Sequence, residues 1–382
     1  MEYIYPDYYR EFRCIAGDCI DSCCETWQIV PDEKSIRKYK RYKGTFAGRL
    51  HNSIDYQNGV IRQYHGKCVF LNEEKLCDLY TEAGANLLCK TCRRYPRHYE
   101  EFENVREITL SISCPEVARI LMNKKEKVSF LRREQDGLEE NYREFDYLLY
   151  TKLLYERDCF YRILQNRRLS IEERMAFILT ISHDLQRHAL HEWDAFLRKC
   201  ETEEFLHRGQ KRFEEKRDFI GYAKSYKREG LFLNLFCMER LNSQWRQQLS
   251  DAYRVLFDDV HTDTLEEQYK EFINWMKEEG REIEYEQLLI YYLSTYFLGS
   301  VYDGRSYDGV RFAISQVILI RQLGFAMWLQ NQKFTIEDQI QLVYRFSREI
   351  EHSDVNLAKF DYIIQKNDEF RLYNMLRSIF AC

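Results

Sequence analysis

All four prolines of this 382-residue chain, Pro6, Pro31, Pro96 and Pro115, lie before residue 116. Proline lacks the N–H that a helix needs, and its ring collides with the preceding turn. Residues 116–382 hold none and are rich in Leu, Glu, Lys, Arg and Gln, so they read as helical. Start signals agree. Ser170-Ile-Glu-Glu173 has the form of a capping box, in which the Ser hydroxyl and the Glu carboxylate take up free N–H groups. Apolar residues follow at Ile171, Met175, Ile178, Leu179 and Leu185, close to helical spacing. Thr335-Ile-Glu-Asp338 opens a second such run through Ile340, Val343, Tyr344 and Phe346. Gly299, Gly304 and Gly309, interleaved with Asp303 and Asp308, mark a turn-rich break between helices.

The N-terminal third reads differently. From Arg106 to Ser113 the chain alternates, with Ile108, Leu110 and Ile112 on one face and Thr109, Ser111 and Ser113 on the other, which is strand periodicity. Trp27–Val30 and Val60–Tyr64 read as short strands. There is no internal repeat and no low-complexity tract. The expected fold class is mainly α: a small, irregular α+β cysteine-rich module over residues 1–120, followed by a large helical domain over 121–382. The 29 Tyr and 24 Phe are expected mostly in the core and between helices, because aromatic rings bury large areas.

Charge excludes one class of partner. The formal net charge is -5, and residues 1–120 carry 18 basic and 18 acidic groups, so the basic excess of a nucleic-acid footprint is missing. The basic stretch Lys34–Lys43 reads as a solvated helix face. The N-terminus shows no apolar core of a secretory signal, and the most apolar stretch, Leu288–Tyr302, is too short to span a bilayer. The expectation is a soluble, cytoplasmic protein that binds neither nucleic acid nor membrane.

Nine of the 13 cysteines fall within the first 114 residues: Cys14, Cys19, Cys23, Cys24, Cys68, Cys77, Cys89, Cys92 and Cys114. In a reducing compartment such grouping signals metal or redox chemistry more often than disulfides. Cys19 with Cys23, and Cys89 with Cys92, can each meet one centre from a turn. Cys68 and Cys77 suit a tight hairpin with Asn72 and Glu73 at its tip, which sets the two thiols directly opposite each other. Adjacent Cys23 and Cys24 are expected to point apart, one as a ligand and one structural. Thiolates select zinc, copper(I) or iron–sulfur clusters, and spacing does not separate zinc from iron. His65 and His98 lie near enough in sequence to share a zinc site. Nine thiols exceed the four of one zinc or one cubane cluster, which leaves two sites, or one site with spare thiols.

Other motifs are few. The radical-type triplet Cys-x3-Cys-x2-Cys is absent, since Thr26 stands where its third cysteine belongs. No Gly-x-Gly occurs, so a dinucleotide loop of the usual kind is missing, and no Gly-x-Ser-x-Gly elbow appears. His183, His188, His191 and Glu192 read as exposed polarity on one helix. Arg93, Arg94, Arg97 and His98 flank the Cys89–Cys92 pair. They serve either as ion-pair partners for Glu100, Glu101 and Glu103, or as cations that balance a thiolate cluster or hold a cofactor carboxylate. Arg93 and Arg97 are the candidate cofactor-binding residues. No catalytic residue is distinguishable in the sequence.

The order of these residues resembles a known family. Phe12-Arg-Cys14, Cys19, Cys23-Cys24, Trp27-Gln-Ile29, Cys68-Val-Phe-Leu71, Leu76-Cys77, Cys89-Lys-Thr-Cys92-Arg-Arg-Tyr-Pro-Arg97 and Leu110-Ser-Ile-Ser-Cys-Pro-Glu116 are similar to the flagellin lysine-N-methylases. The cysteines are also similar to those of small zinc- or iron-chelating proteins. The match covers about residues 8–120. The resemblance implies methyl transfer from S-adenosylmethionine to flagellin lysines, with an iron–sulfur cluster, of 4Fe-4S type, held by the N-terminal cysteines. The alternative is a non-enzymatic protein in which zinc or iron staples the small module and the helical domain binds a partner.

Overall fold

The computed structural model describes residues 1–25, 27–137, 140–143, 145–216, 226–258 and 262–380, without the side chains of 226–228 and 262–263. Thr26 and Cys382 lie outside the described residues. The chain is mainly helical, with small sheets confined to its first 134 residues.

Both expected capping boxes form. Ser170 accepts from the Glu173 N–H and opens helix Ile171–Leu185, and Thr335 and Asp338 do the same for helix Ile336–Glu351. The longest helix among the described residues, Ser306–Asn331, packs against Ile171–Leu185, Glu282–Tyr296, Ile336–Glu351 and Asp354–Lys366. It is long and apolar enough to cross a bilayer, yet 83% of its most apolar window is buried inside the protein. Leu288–Val301 is likewise mostly core, split between helix Glu282–Tyr296 and the 3-10 turn Phe297–Val301, while Tyr302 is exposed.

The main sheet has four strands in the order Arg97–Phe102, Val105–Leu110, Glu2–Pro6, Phe130–Glu134. The first strand of the chain is therefore central. It runs parallel to Val105–Leu110, with Glu2 beside Val105, and antiparallel to Phe130–Glu134, with Glu2 opposite Glu134. The sheet takes strands from both sides of residue 120.

The alternation over Arg106–Ser113 does not separate a wet face from a dry one. Arg106, Glu107, Ile108, Thr109 and Leu110 are all buried, with Glu107 and Thr109 meeting Arg157 and Thr295 of the helical body and Arg106 meeting Glu140. Glu107 is tolerated there because Arg157, on helix Tyr147–Leu164, meets it with two hydrogen bonds of 2.6 and 2.7 Å. The strand stops at Leu110, and Ser111–Ser113 turn into helix Pro115–Asn123, with Cys114 at its N-cap.

A second, smaller core lies within residues 29–92. Ile29, Tyr39, Leu50, Ile61 and Phe70 pack there with Cys68 and Cys89, apart from the large helical core. Trp27–Val30 is not a strand, contrary to expectation. It is irregular: the Ile29 carbonyl accepts from the Ile61 N–H at 3.0 Å, while the Trp27 and Val30 carbonyls accept from the side chains of Gln63 and Thr91. Val60–Ile61 and Gln63–Tyr64 do form two-residue strands. The expected single helix carrying four His and Glu residues also fails. Its helix ends at Leu185, and His191 and Glu192 sit on a separate 3-10 turn. Helix Glu33–Arg41 matches the basic stretch, with Tyr39 inward and the lysines outward.

One buried carboxyl has a consequence for stability. Glu156 is fully buried, and its Oε1 accepts hydroxyls from Ser182 at 3.0 Å and Ser306 at 3.3 Å. Burial pushes its carboxyl up to about 8. Glu349, also buried, rises to about 7. Below the unfolded value of 4.5 both states hold the proton. Above it the unfolded chain releases the proton while the native fold keeps it, so stability falls as pH rises toward 8. Urea unfolding is expected to show a loss on the order of 3 kcal/mol between pH 5 and 8. Glu156→Gln should flatten that slope, and an unchanged slope would remove Glu156 as its source.

Candidate functional site

The cysteines converge from four stretches of chain. All nine are free thiols. Cys19 and Cys23 lie in the loop after the 3-10 turn Ala16–Asp18, and Cys89 caps the short helix Lys90–Arg94. The Cys92 N–H points at the Cys89 sulfur at 3.5 Å. The side-chain hydrogen bond between the two thiols, aided by that N–H, lowers the Cys89 thiol, while the same thiol–thiol bond raises Cys92. Cys23 is raised by its hydrogen bond with Cys24 and then by burial. The two neighbouring thiols therefore do share one space, contrary to expectation, because the loop there is irregular rather than extended.

The Cys68–Cys77 hairpin also differs from expectation. Cys77 stands opposite Leu71, while Cys68 pairs with Gln63. The tip is tighter than a simple hairpin because Asn72 closes it. Its carbonyl accepts from Lys75, its side chain accepts from the Leu76 N–H at 2.9 Å, and Lys75 is left-handed at φ 58. The two sulfurs are still close enough that Cys77 raises the proton affinity of Cys68, which burial lifts to about 11.

Electrostatic influence between thiols falls into two overlapping groups. Burial raises Cys19, and Cys23 and Cys14 add to the effect. Burial carries Cys114 to about 12, with contributions from Cys19 and Cys23. On the other side, Cys68 feels Cys77, Cys89 and Cys23, and Cys92 feels Cys89, Cys24 and Cys68. Cys23 belongs to both groups. The donor set is all soft sulfur, with no pair consumed in a disulfide, which suits zinc or iron–sulfur. Among the described residues, no three His, Cys, Asp or Glu side chains already stand at metal-binding spacing. Most of these thiols are held protonated, so a metal would have to displace protons as it bound.

The expected cations are placed differently. Arg93 is exposed, and Arg94 lies over the Tyr99 ring at 4.1 Å. Arg97 donates to the Tyr9 hydroxyl at 3.0 Å and stacks near Phe12. His98 takes the expected ion-pair role, 2.7 Å from Glu100. The guanidinium that faces the thiols is Arg348, from helix Ile336–Glu351. It binds the Asp21 carboxylate, the Asp21 carbonyl at 2.9 Å and the Ser113 carbonyl at 2.9 Å, and its charge lowers Cys19 and Cys23.

Beside Arg348 the Ser111–Ser113 turn forms the floor of a polar seam. The Ser113 hydroxyl lies 2.6 Å from Ser111, 3.1 Å from the Tyr95 hydroxyl and 2.7 Å from His352 Nε2. The rings of Trp27 and His352 are 4.5 Å apart, and Tyr95 sits 5.7 Å from His352. Trp27 donates to the Cys23 carbonyl at 2.6 Å. Burial, with the Arg348 charge, lowers His352 to about 3, so its imidazole is neutral. Sequence reading missed Arg348, Glu351 and His352. Their spacing fits an ordinary amphipathic helix, and only their contacts with residues 21, 113 and 291 distinguish them.

Comparison with known proteins agrees with the cysteine signature. Two curated proteins named Lysine-N-methylase, from Salmonella typhimurium and Salmonella choleraesuis, are each 28% identical over 127 residues, covering 31% of this chain and 32% of each protein. A Flagellar biosynthetic protein FliU from Salmonella muenchen is 28% identical over 127 residues, covering 75% of that protein. The aligned segment thus spans about a third of the lysine-N-methylases. No solved structure matches. The model of the FliB lysine N-methylase C-terminal domain matches residues 157–377, more than half of the chain and nearly all of its helical body. By that match the chain belongs to the FliB lysine N-methylase family.

Proposed function

We propose that the protein is a cytoplasmic, S-adenosylmethionine-dependent lysine N-methyltransferase that acts on flagellin, with an iron–sulfur cluster of 4Fe-4S type held by N-terminal cysteines. The family match over residues 157–377 carries the reading. The names of the relatives, a lysine-N-methylase and a flagellar biosynthetic protein, supply the substrate class. Cys14, Cys19, Cys23 and Cys114 form one candidate ligand group, and Cys24, Cys68, Cys77, Cys89 and Cys92 the other. Arg348 would offset the negative charge of the first group. Arg93 keeps an exposed guanidinium near the second and remains the candidate for a cofactor carboxylate, while Arg97 is engaged with Tyr9.

The chemistry sets one requirement. A lysine amine has a pKa of about 10.4 and is protonated near neutrality, so its lone pair is unavailable to a methyl sulfonium until the proton leaves. The site must therefore accept a proton from the substrate and shelter the neutral amine.

Protein purified without oxygen is expected to be brown, to contain iron and acid-labile sulfide, and to transfer labelled methyl groups from S-adenosylmethionine to flagellin lysines. Cys23→Ser should lose most of the iron, because Cys23 adjoins both sulfur groups. Colourless protein with stoichiometric zinc and no methyl transfer would overturn the reading in favour of a zinc-stapled binding protein.

A further inference from the structure

The helix that supplies Arg348 also carries Glu351, and the two side chains serve different places. Arg348 faces the thiols. Glu351 faces a cluster of tyrosines on helix Glu282–Tyr296. Its Oε2 accepts the Tyr291 hydroxyl at 2.5 Å and the Tyr296 hydroxyl at 2.7 Å, and its Oε1 accepts Ser347 at 2.6 Å. Among the described residues no Lys or Arg pairs with this carboxylate. Buried carboxylates normally sit against a cation, because leaving water costs several kcal/mol that hydroxyl donors only partly return. Glu107 has Arg157, Glu286 has Arg174 and Glu284 has Arg281, whereas Glu156 and Glu349, like Glu351, are held by uncharged donors.

Two further observations point to a ligand. Tyr292 is 1% exposed, its hydroxyl has no hydrogen-bond partner, and it feels the Glu351 charge. Its ring stacks with Tyr296 at 6.4 Å. A donor so placed is costly unless something else completes the site. Glu351, Tyr296 and His98 keep partial exposure, so the cluster lies at the edge of the core rather than in its centre. The seat is continuous with the sulfur region, because Tyr291 hydrogen-bonds Ser111, and Ser111 lies 2.6 Å from Ser113 beside Cys114.

We propose that Glu351, with Tyr291, Tyr292 and Tyr296, is the binding seat for the substrate's alkylammonium group, the side-chain end of a lysine. Burial raises the proton affinity of Glu351, which favours transfer of the ammonium proton to it, and the tyrosine faces supply the cation–π wall that ammonium groups favour. On binding, the ammonium N–H bond breaks, its electron pair stays on nitrogen and its proton passes to Glu351. The amine then forms an N–C bond to the methyl carbon of a sulfonium donor, and the C–S pair departs with sulfur as a neutral thioether. The product leaves as the methylated ammonium ion, and Glu351 gives its proton to water, which restores the carboxylate. This assignment rests on the methyltransferase reading above for its reaction, but not for its ligand.

Binding and turnover therefore have separate tests on the full-length protein. In saturation-transfer NMR, n-butylammonium is expected to bind wild type and to be displaced by a lysine peptide. Glu351→Gln should weaken that binding about 10- to 100-fold, and Tyr296→Phe, at a partly buried position, about threefold to tenfold. In methyl transfer to flagellin, Glu351→Gln should lower kcat/KM at least about 100-fold with unchanged iron content. Lack of n-butylammonium binding by wild type, or wild-type affinity in both variants, would overturn the seat whatever the methylation result. Binding by wild type that the variants lose, without methylation by any of them, would uphold the seat and overturn the methyltransferase reading. Circular dichroism identifies a misfolded Glu351→Gln protein, in which case Tyr296→Phe decides.

Discussion

Methionine in place of Arg348 is expected to destabilise the protein by about 3–5 kcal/mol, because it removes one partner of a buried charged network. The guanidinium is only 5% exposed. It holds the Asp21 carboxylate, the Asp21 carbonyl and the Ser113 carbonyl at once, with its Cζ 5.4 Å from the Tyr344 ring centroid. Methionine fills much of the volume but satisfies none of these acceptors. Asp21 is more exposed, at 21%, so water can replace part of its bond, and Asp21→Asn should cost only about 1 kcal/mol. Urea unfolding reads both values. Limited proteolysis adds a local readout, with faster cleavage near residues 14–25 in Arg348→Met. A loss below about 0.5 kcal/mol would mean that Arg348 does not clamp the cysteine loops to the helical body.

The second large effect concerns the pair Arg157–Glu107, whose side chains are 4% and 6% exposed. Burial would lower the proton affinity of Arg157, but Glu107 more than offsets it, so the guanidinium stays charged. Arg157→Leu should cost about 3–5 kcal/mol, since it strands the Glu107 carboxylate between the sheet and helix Tyr147–Leu164. Glu107→Leu alone should cost a similar amount. The double variant is expected to recover most of the loss, ending within about 2 kcal/mol of wild type, because two apolar groups of similar volume avoid both desolvation penalties. Additive losses in the double variant would show that the site depends on the hydrogen bonds themselves.

These pairs show why pattern reading stops short of the site. Arg348, Glu349 and Glu351 lie within four residues of one another on one helix and serve three unrelated ends. Arg348 binds the cysteine loop, Glu349 accepts the Leu241 and Asn242 N–H groups, and Glu351 accepts two tyrosines. Helical periodicity tells which residues share a face, but it carries no information about which neighbour that face meets. The same limit governs the hairpin. Cys68 and Cys77 were legible as a turn, yet Asn72 tightened the loop and Cys68 joined a different strand, so the register moved.

What was readable from the chain alone is local and covalent in character. Proline confined to residues 1–115, the capping boxes at Ser170 and Thr335 and the ordering of nine cysteines each act through a few neighbouring backbone groups, and each leaves its mark in consecutive letters. The helical class, the separate cysteine-rich segment and the family resemblance follow from them. Folding alone decided which charges would be neutralised. Arg348 reached Asp21, Arg157 reached Glu107, and Glu351 was left facing tyrosines. Burial makes an unmatched charge expensive only once distant segments have excluded water from it. The position that most invites a ligand is therefore a property of the assembled fold.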